Sequence, residues 1–235
     1  SVYDPTVRAT IKLTVSNNAS NEVILISTEE DLRSINTREN GLSLAYELTN
    51  DIVLTQNWTP IGVAEAELDS GEIVPGTYFN GIFDGKGFKI SGIVVASEQP
   101  LFNGGFFAQI GGSGLVKNTE FEGSVTANGW SGGIAGINGG TIENVISNMA
   151  VTVAGTSAGS IVSVNRGIIR NSYGIGKVVS ETNPNTAGRS AGLVVSNEGT
   201  MEEVYGDKDL LTSENYTSFM AVKNPKFMLA TSDMK

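Results

Sequence analysis

The sequence predicts an all-β chain wound as a parallel β-helix, a solenoid of short strands, and three observations predict it. A stretch recurs: Gly132 to Asn144 reads Gly-Gly-Ile-Ala-Gly-Ile-Asn-Gly-Gly-Thr-Ile-Glu-Asn, and Gly159 to Asn171 and Gly192 to Glu203 repeat its pattern. A looser copy runs from Gly105 through Gly114-Leu115-Val116-Lys117-Asn118. Asn118, Asn144 and Asn171 lie 26 and 27 residues apart, and Asn165 and Asn197 lie 32 apart, spacings that mark a stacked repeat. Each copy holds two short Ile/Val runs around Asn-x-Gly, with no space for a helix between them, so each reads as strand, corner, strand. Composition agrees: 29 glycines serve many corners, and only 17% of residues are charged.

In such a stack successive coils lie ~4.8 Å apart, and equivalent side chains fall above one another. Val116, Ile142, Ile169 and Met201 are therefore expected to form one inward ladder, each buried rung contributing about 1.5–3 kcal/mol. Asn-x-Gly is expected to supply the positive-φ residues of the corner. Gly132, Ala158 and Ala191 are expected where the tube narrows.

Taken in order, Val7 to Val15 alternates without a break. Val7, Ala9, Ile11, Leu13 and Val15 share one face and Arg8, Thr10, Lys12 and Thr14 the other, the pattern of a half-buried strand. The polar run Asn17 to Asn21 separates it from the next strand. Either this first strand lies against its own chain, or it belongs to a preceding domain, or it is donated to a neighbouring subunit, where head-to-tail contacts would build a filament. Residues 1–21 are thus an arm and linker. Val23 to Ile26 is a short strand. Ser27 or Thr28, with Glu30 or Asp31 three residues on, forms a capping box for a helix near 28–36 whose apolar face is Leu32 and Ile35. Such a helix plugs the open end of the first coil. Leu42 to Tyr46 and Ile52 to Thr55 come next as strands, and Phe79 to Ile90 reads as two strands about Asp84-Gly85. The coils run to Gly206, about six of them from Leu42, which makes a stack on the order of 30 Å tall. Residues 207–235 lose the glycine rhythm and read as a terminal cap, with a short helix from Ser213.

Tyr-Glu-Leu-Thr-Asn-Asp-Ile (46–52), Asn-Trp-Thr-Pro-Ile-Gly (57–62) and Phe-Asn-Gly-Ile-Phe-Asp-Gly-Lys-Gly-Phe-Lys-Ile (79–90) resemble the entry coils of bacterial surface β-helix proteins. The copies from Gly132 onward resemble the GLUG repeat of those proteins, and the similarity runs from about Val23 to Gly206. Members of that family include adhesins and the non-catalytic parts of immunoglobulin A proteases. The resemblance implies a right-handed parallel β-helix, a cell-surface location and a binding or scaffolding role, and it carries no catalytic residues. Ser163 and Val195 depart from the pattern where the second copy has Gly136.

Charge and composition narrow the chemistry. A net charge of −10 disfavours nucleic acid and anionic membranes as partners. The absence of His removes the commonest general base and metal ligand, and the absence of Cys removes thiol chemistry. No apolar run reaches transmembrane length. A start at Ser1 without Met or leader is expected of a processed product and favours export. β-Helices also host polysaccharide-cleaving enzymes, whose sites cluster carboxylates. Here Asp51, Asp84 and Glu120 are scattered, Asp84 sits where a turn favours Asp, and Arg170 falls between Glu143 and Glu202-Glu203 as an ion-pair partner would. No catalytic residue, cofactor or metal ligand is assigned. Trp58 reads as core packing. Trp130, in the polar corner 127–131, is the candidate contact to a glycan or protein partner. The expectation is a non-enzymatic, extracellular, adhesin-like or scaffolding module. Its alternatives are a self-assembling filament subunit joined through Val7, Ala9, Ile11, Leu13 and Val15, and a carbohydrate-active enzyme.

Overall fold

In the central repeat, the long strand Thr141–Ala154 turns its buried side inward at Ile142, Val145, Met149, Val151 and Val153. The phase slips by one residue between Ile142 and Val145, because Asn144 between them adopts φ 54°. One left-handed residue bends the strand so that the later side chains still face inward. The same bend sits at Asn118 and Asn171, with φ 55° and 49°, and at Glu203, with φ 50°. Asparagine tolerates this conformation better than other non-glycine residues, which explains its recurrence at spacings of 26 and 27.

A computed structural model describes residues 22–63, 66–67, 73–96, 103–127, 129–154, 157–181, 189–190, 193–207 and 228–229. The described chain is mostly strand, in stacked sheets whose pairings are parallel. The exceptions are a small antiparallel pair, Ala66–Glu67 with Ile73–Val74, and the antiparallel bridge of Val63 with Thr77. The arrangement is compatible with a solenoid. In each repeat the chain visits three sheets in the same order. The first is an 11-stranded sheet containing Leu115–Ala127, Thr141–Ala154, Ile168–Gly174 and Thr200–Asp207. The second is a four-stranded sheet of Asn103–Gly104, Trp130–Gly132, Ser157–Gly159 and Arg189–Ser190. The third contains Phe107–Ile110, Ala135–Asn138, Val162–Asn165 and Val194–Asn197. Asn-x-Gly then returns the chain to the first.

The register is in phase from coil to coil. Ile24, Tyr46, Phe83, Val116, Ile142, Ile169 and Met201 stand in one column. The five from Tyr46 to Ile169 are buried, whereas Ile24 and Met201 at the two ends are half-buried. Aromatic rings fill the earlier coils: Trp58 stacks on Phe106 at 4.6 Å, and Phe106 meets Phe121 at 4.8 Å. Ile and Val fill the later ones. Phe79 to Ile90 does form two strands, Ile82–Asp84 and Lys89–Ala96. They do not pair with each other; both lie end to end against Leu115–Ala127, separated by a bend at Lys86 and Gly87.

The helix is Glu29–Ser34, capped by Thr28 in a reciprocal box with Asp31. Leu32 and Ile35 are fully buried. Arg33 fixes the helix to the next coil, donating to the carbonyls of Gln56 at 3.2 Å and Asn57 at 3.1 Å and lying over the Trp58 ring.

One expectation needs correcting. Asn138, Asn165 and Asn197 do not supply a positive-φ corner. Asn138 and Asn165 are fully buried, and their amides form a chain: Asn138 Nδ2 donates to Asn165 Oδ1 at 2.8 Å, and Asn165 Nδ2 to Asn197 Oδ1 at 2.7 Å. The glycines two residues on, Gly140, Gly167 and Gly199, are required by close approach instead. A Cβ on Gly167 would strike the carbonyl oxygen of Gly140, and one on Gly199 that of Gly167. Gly132 and Ala158 are both buried in the second sheet, Gly132 beside Gly159 and Ala158 beside Ser131. Ala191, the arm with its strand Val7 to Val15, and the helix expected from Ser213 lie outside the described residues. Met228–Leu229 extends the first sheet beside Gly206–Asp207.

Candidate functional site

The in-phase stacking that aligns the core also aligns what faces outward, so the surface is built of columns. One runs beside the inward ladder: Val23, Ala45, Ile82, Leu115, Thr141, Ile168 and Thr200. Val23, Ile82 and Ile168 are among the exposed large apolar residues of the chain. At about 4.8 Å per coil the column is about 29 Å long. Its signal in the sequence is positional: each member immediately precedes an inward rung. That position is legible only once the register is known.

The neighbouring outward column is charged. Glu47, Asp84, Lys117, Glu143, Arg170 and Glu202 occupy successive coils, alternating in sign from Asp84 onward. Lys117 Nζ lies 3.5 Å from Asp84 Oδ2, and Lys86 Nζ lies 3.5 Å from Glu47 Oε1. The Arg170 guanidinium is paired with Glu143, Nε donating to Oε2 at 2.8 Å. Asp84 is tied into its bend by the Lys86 N–H at 2.9 Å and by Asn118 Nδ2 at 3.0 Å. Burial alone raises the pKa of its carboxyl. The Asn118 and Lys86 hydrogen bonds, followed by the charges of Lys117 and Lys86, outweigh that and hold it below the usual value.

Of the carboxylates singled out in the sequence, Asp51 and Glu120 are not scattered but stand on either side of Lys89 in successive coils, with that cation between them. Asp51 accepts from the Lys89 N–H at 2.9 Å, Glu120 stands in the Lys89 column, and Glu203 accepts from the Tyr205 hydroxyl. Among the described residues no group of three or more acidic side chains is gathered as a metal would require. No described helix is long and apolar enough to cross a membrane.

Trp130 opens the strand Trp130–Gly132 and is 46% exposed, next to Asn103 in the adjacent coil. Trp58 is buried, its indole N–H donating to the Phe106 carbonyl at 2.9 Å. A second aromatic feature has no signal in the sequence beyond the repeat spacing. Tyr173 and Tyr205 occupy successive coils with centroids 5.7 Å apart.

Comparison of the chain with protein-family models, with curated proteins and with solved structures yields no match. The geometry therefore defines a class by itself: a chain of mostly parallel strands in stacked sheets, with surface residues aligned in columns.

Proposed function

We propose that the coils close into one right-handed parallel β-helix and that the chain is a non-enzymatic, extracellular cell-surface module, adhesin-like or scaffolding, which presents a flat face to a partner. The observation that carries this reading is the outward column from Val23 to Thr200, apolar but for Thr141 and Thr200, with self-paired charges beside it. Three exposed apolar side chains in one line, Val23, Ile82 and Ile168, spread over about 24 Å, suit a flat partner surface more than a small substrate. Closure is supported by Phe106, which touches Trp58, Phe83 and Phe121 from different segments of the chain within one core. Trp130 supports a glycan or protein contact at a second face, since an exposed indole offers a stacking surface at little entropic cost. The surface location rests on the GLUG-like motifs.

The test applies the labelled chain to a glycan array and to immobilised matrix proteins. Trp130→Ala and the pair Ile82→Thr with Ile168→Thr are run beside it, and circular dichroism verifies the fold. Binding lost in either variant supports the face that variant alters. Turnover of a polysaccharide by the purified chain overturns the non-enzymatic role.

A further inference from the structure

The first strand among the described residues, Val23–Ile26, forms the border of the 11-stranded sheet. One edge pairs with Ala45–Leu48, and the opposite edge has no strand beside it among the described residues. Val-Ile-Leu-Ile has no charge, proline or bulge of the kind that blunts an open edge. Its outward side chains are exposed, Leu25 at 61% and Val23 at 40%. Ile24 is half-buried while the next five members of its column are buried, whereas Ile26 is already fully covered, so the unfilled place on this side lies at the backbone edge and at Ile24.

We propose that residues 7–15 of the same chain pair with this edge as an added strand. Val7 to Val15 matches what the edge lacks. Its apolar face, Val7, Ala9, Ile11, Leu13 and Val15, continues the inward columns of Ile24 and Ile26. Its polar face, Arg8, Thr10, Lys12 and Thr14, falls beside Val23 and Leu25. Pairing strand to strand satisfies the open backbone groups, and period-two alternation on both sides sets which face turns inward. Charge agrees: between residues 22 and 63 seven carboxylates stand against two guanidinium groups, and Arg8 and Lys12 are the cations of the arm. The seven residues from Ser16 to Glu22 suffice to reverse the chain. Closing so short a loop has a small entropic cost, whereas docking a second molecule costs an estimated ~4–15 kcal/mol, so the same chain outcompetes a second copy. The pairing is independent of the surface role proposed above.

The chain has no Cys, so engineered pairs can be read without background. In the full chain, Leu25→Cys is combined in turn with Thr10→Cys, Lys12→Cys and Thr14→Cys. Facing side chains on adjacent strands have the separation a disulfide needs. Exposure of Leu25 leaves the fold untouched by the substitution. Mild oxidation is expected to give, in at least one pair, an intrachain disulfide at monomer mass. Disulfide-linked dimers would overturn the assignment to the same chain. No disulfide in any of the three pairs would overturn the pairing itself. In the unmodified chain, hydrogen exchange of the residue 23–26 amides that point away from Ala45–Leu48 is expected to be slow, and fast exchange would also overturn it.

Discussion

Replacing Asn165 with Ala cuts the buried amide chain at its centre. Asn165 is fully buried; Nδ2 donates to Asn197 Oδ1 at 2.7 Å, and Oδ1 accepts from Asn138 Nδ2 at 2.8 Å. Each bond contributes about 1 kcal/mol net, and a buried group left unpaired costs about 1–3 kcal/mol. The neighbours are not fully orphaned. Asn138 Nδ2 keeps the carbonyls of Gly140 and Ile168, both at 3.3 Å, and Asn197 is half-buried, within reach of water. The expected loss is therefore about 2–3 kcal/mol rather than the full penalty. Urea unfolding followed by far-ultraviolet circular dichroism measures it, compared at unchanged slope. A double-mutant cycle with Asn138→Ala is expected to show coupling of about 1 kcal/mol, because the two amides share a bond. A loss below about 0.5 kcal/mol, or a cycle without coupling, would show that the amide chain contributes nothing and refute the reasoning.

Three further outcomes are expected. Gly167→Ala forces a Cβ against the Gly140 carbonyl and should destabilise by about 1–3 kcal/mol in the same urea assay, although its φ lies outside the left-handed region. Glu29 is held at a pKa of about 2, below the ordinary 4.5, first by the Arg33 hydrogen bond and then by the Thr55 N–H. A lowered folded-state pKa adds stability that is present above the ordinary value and lost as pH falls toward 2. Glu29→Gln should thus melt lower at pH 7, and its gap from the wild type should close between about pH 4.5 and 2 in thermal scans. Trp58→Ala should cost about 3–5 kcal/mol, because a buried, stacked ring is lost, while Trp130→Ala should stay within about 0.5 kcal/mol. Equal losses at the two tryptophans would contradict the exposure of Trp130.

Much of the architecture was legible because repetition converts sequence spacing directly into register. Residues 26, 27 or, in the last coil, 32 apart fall in the same column, so Val116, Ile142, Ile169 and Met201 could be written down from the chain alone. The helix was legible for a local reason: a capping box needs only four residues, here Thr28 to Asp31. The alignment of the candidate face follows from the same spacing, since Thr141 and Ile168 lie 27 apart and each precedes a rung. Its exposure was not legible: Thr141 is half-buried where Ile168 is exposed, and only the packed coils decide that.

By itself, then, the sequence determined the period, the strand class, the core rungs and the capped helix. Each of these depends on local propensity or on a fixed spacing. Which asparagine takes the left-handed bend and which lies buried was decided only by tertiary structure. Asn138 and Asn144 have the same side chain, and each recurs in a neighbouring coil, at Asn165 and Asn171. Only the neighbouring coils distinguish them: one amide is enclosed between Asn165 and the Gly140 carbonyl, while the other stands exposed and reaches Asn118 across the surface. The outward columns were decided in the same way, since an exposed stripe belongs to the stack and exists in no single coil.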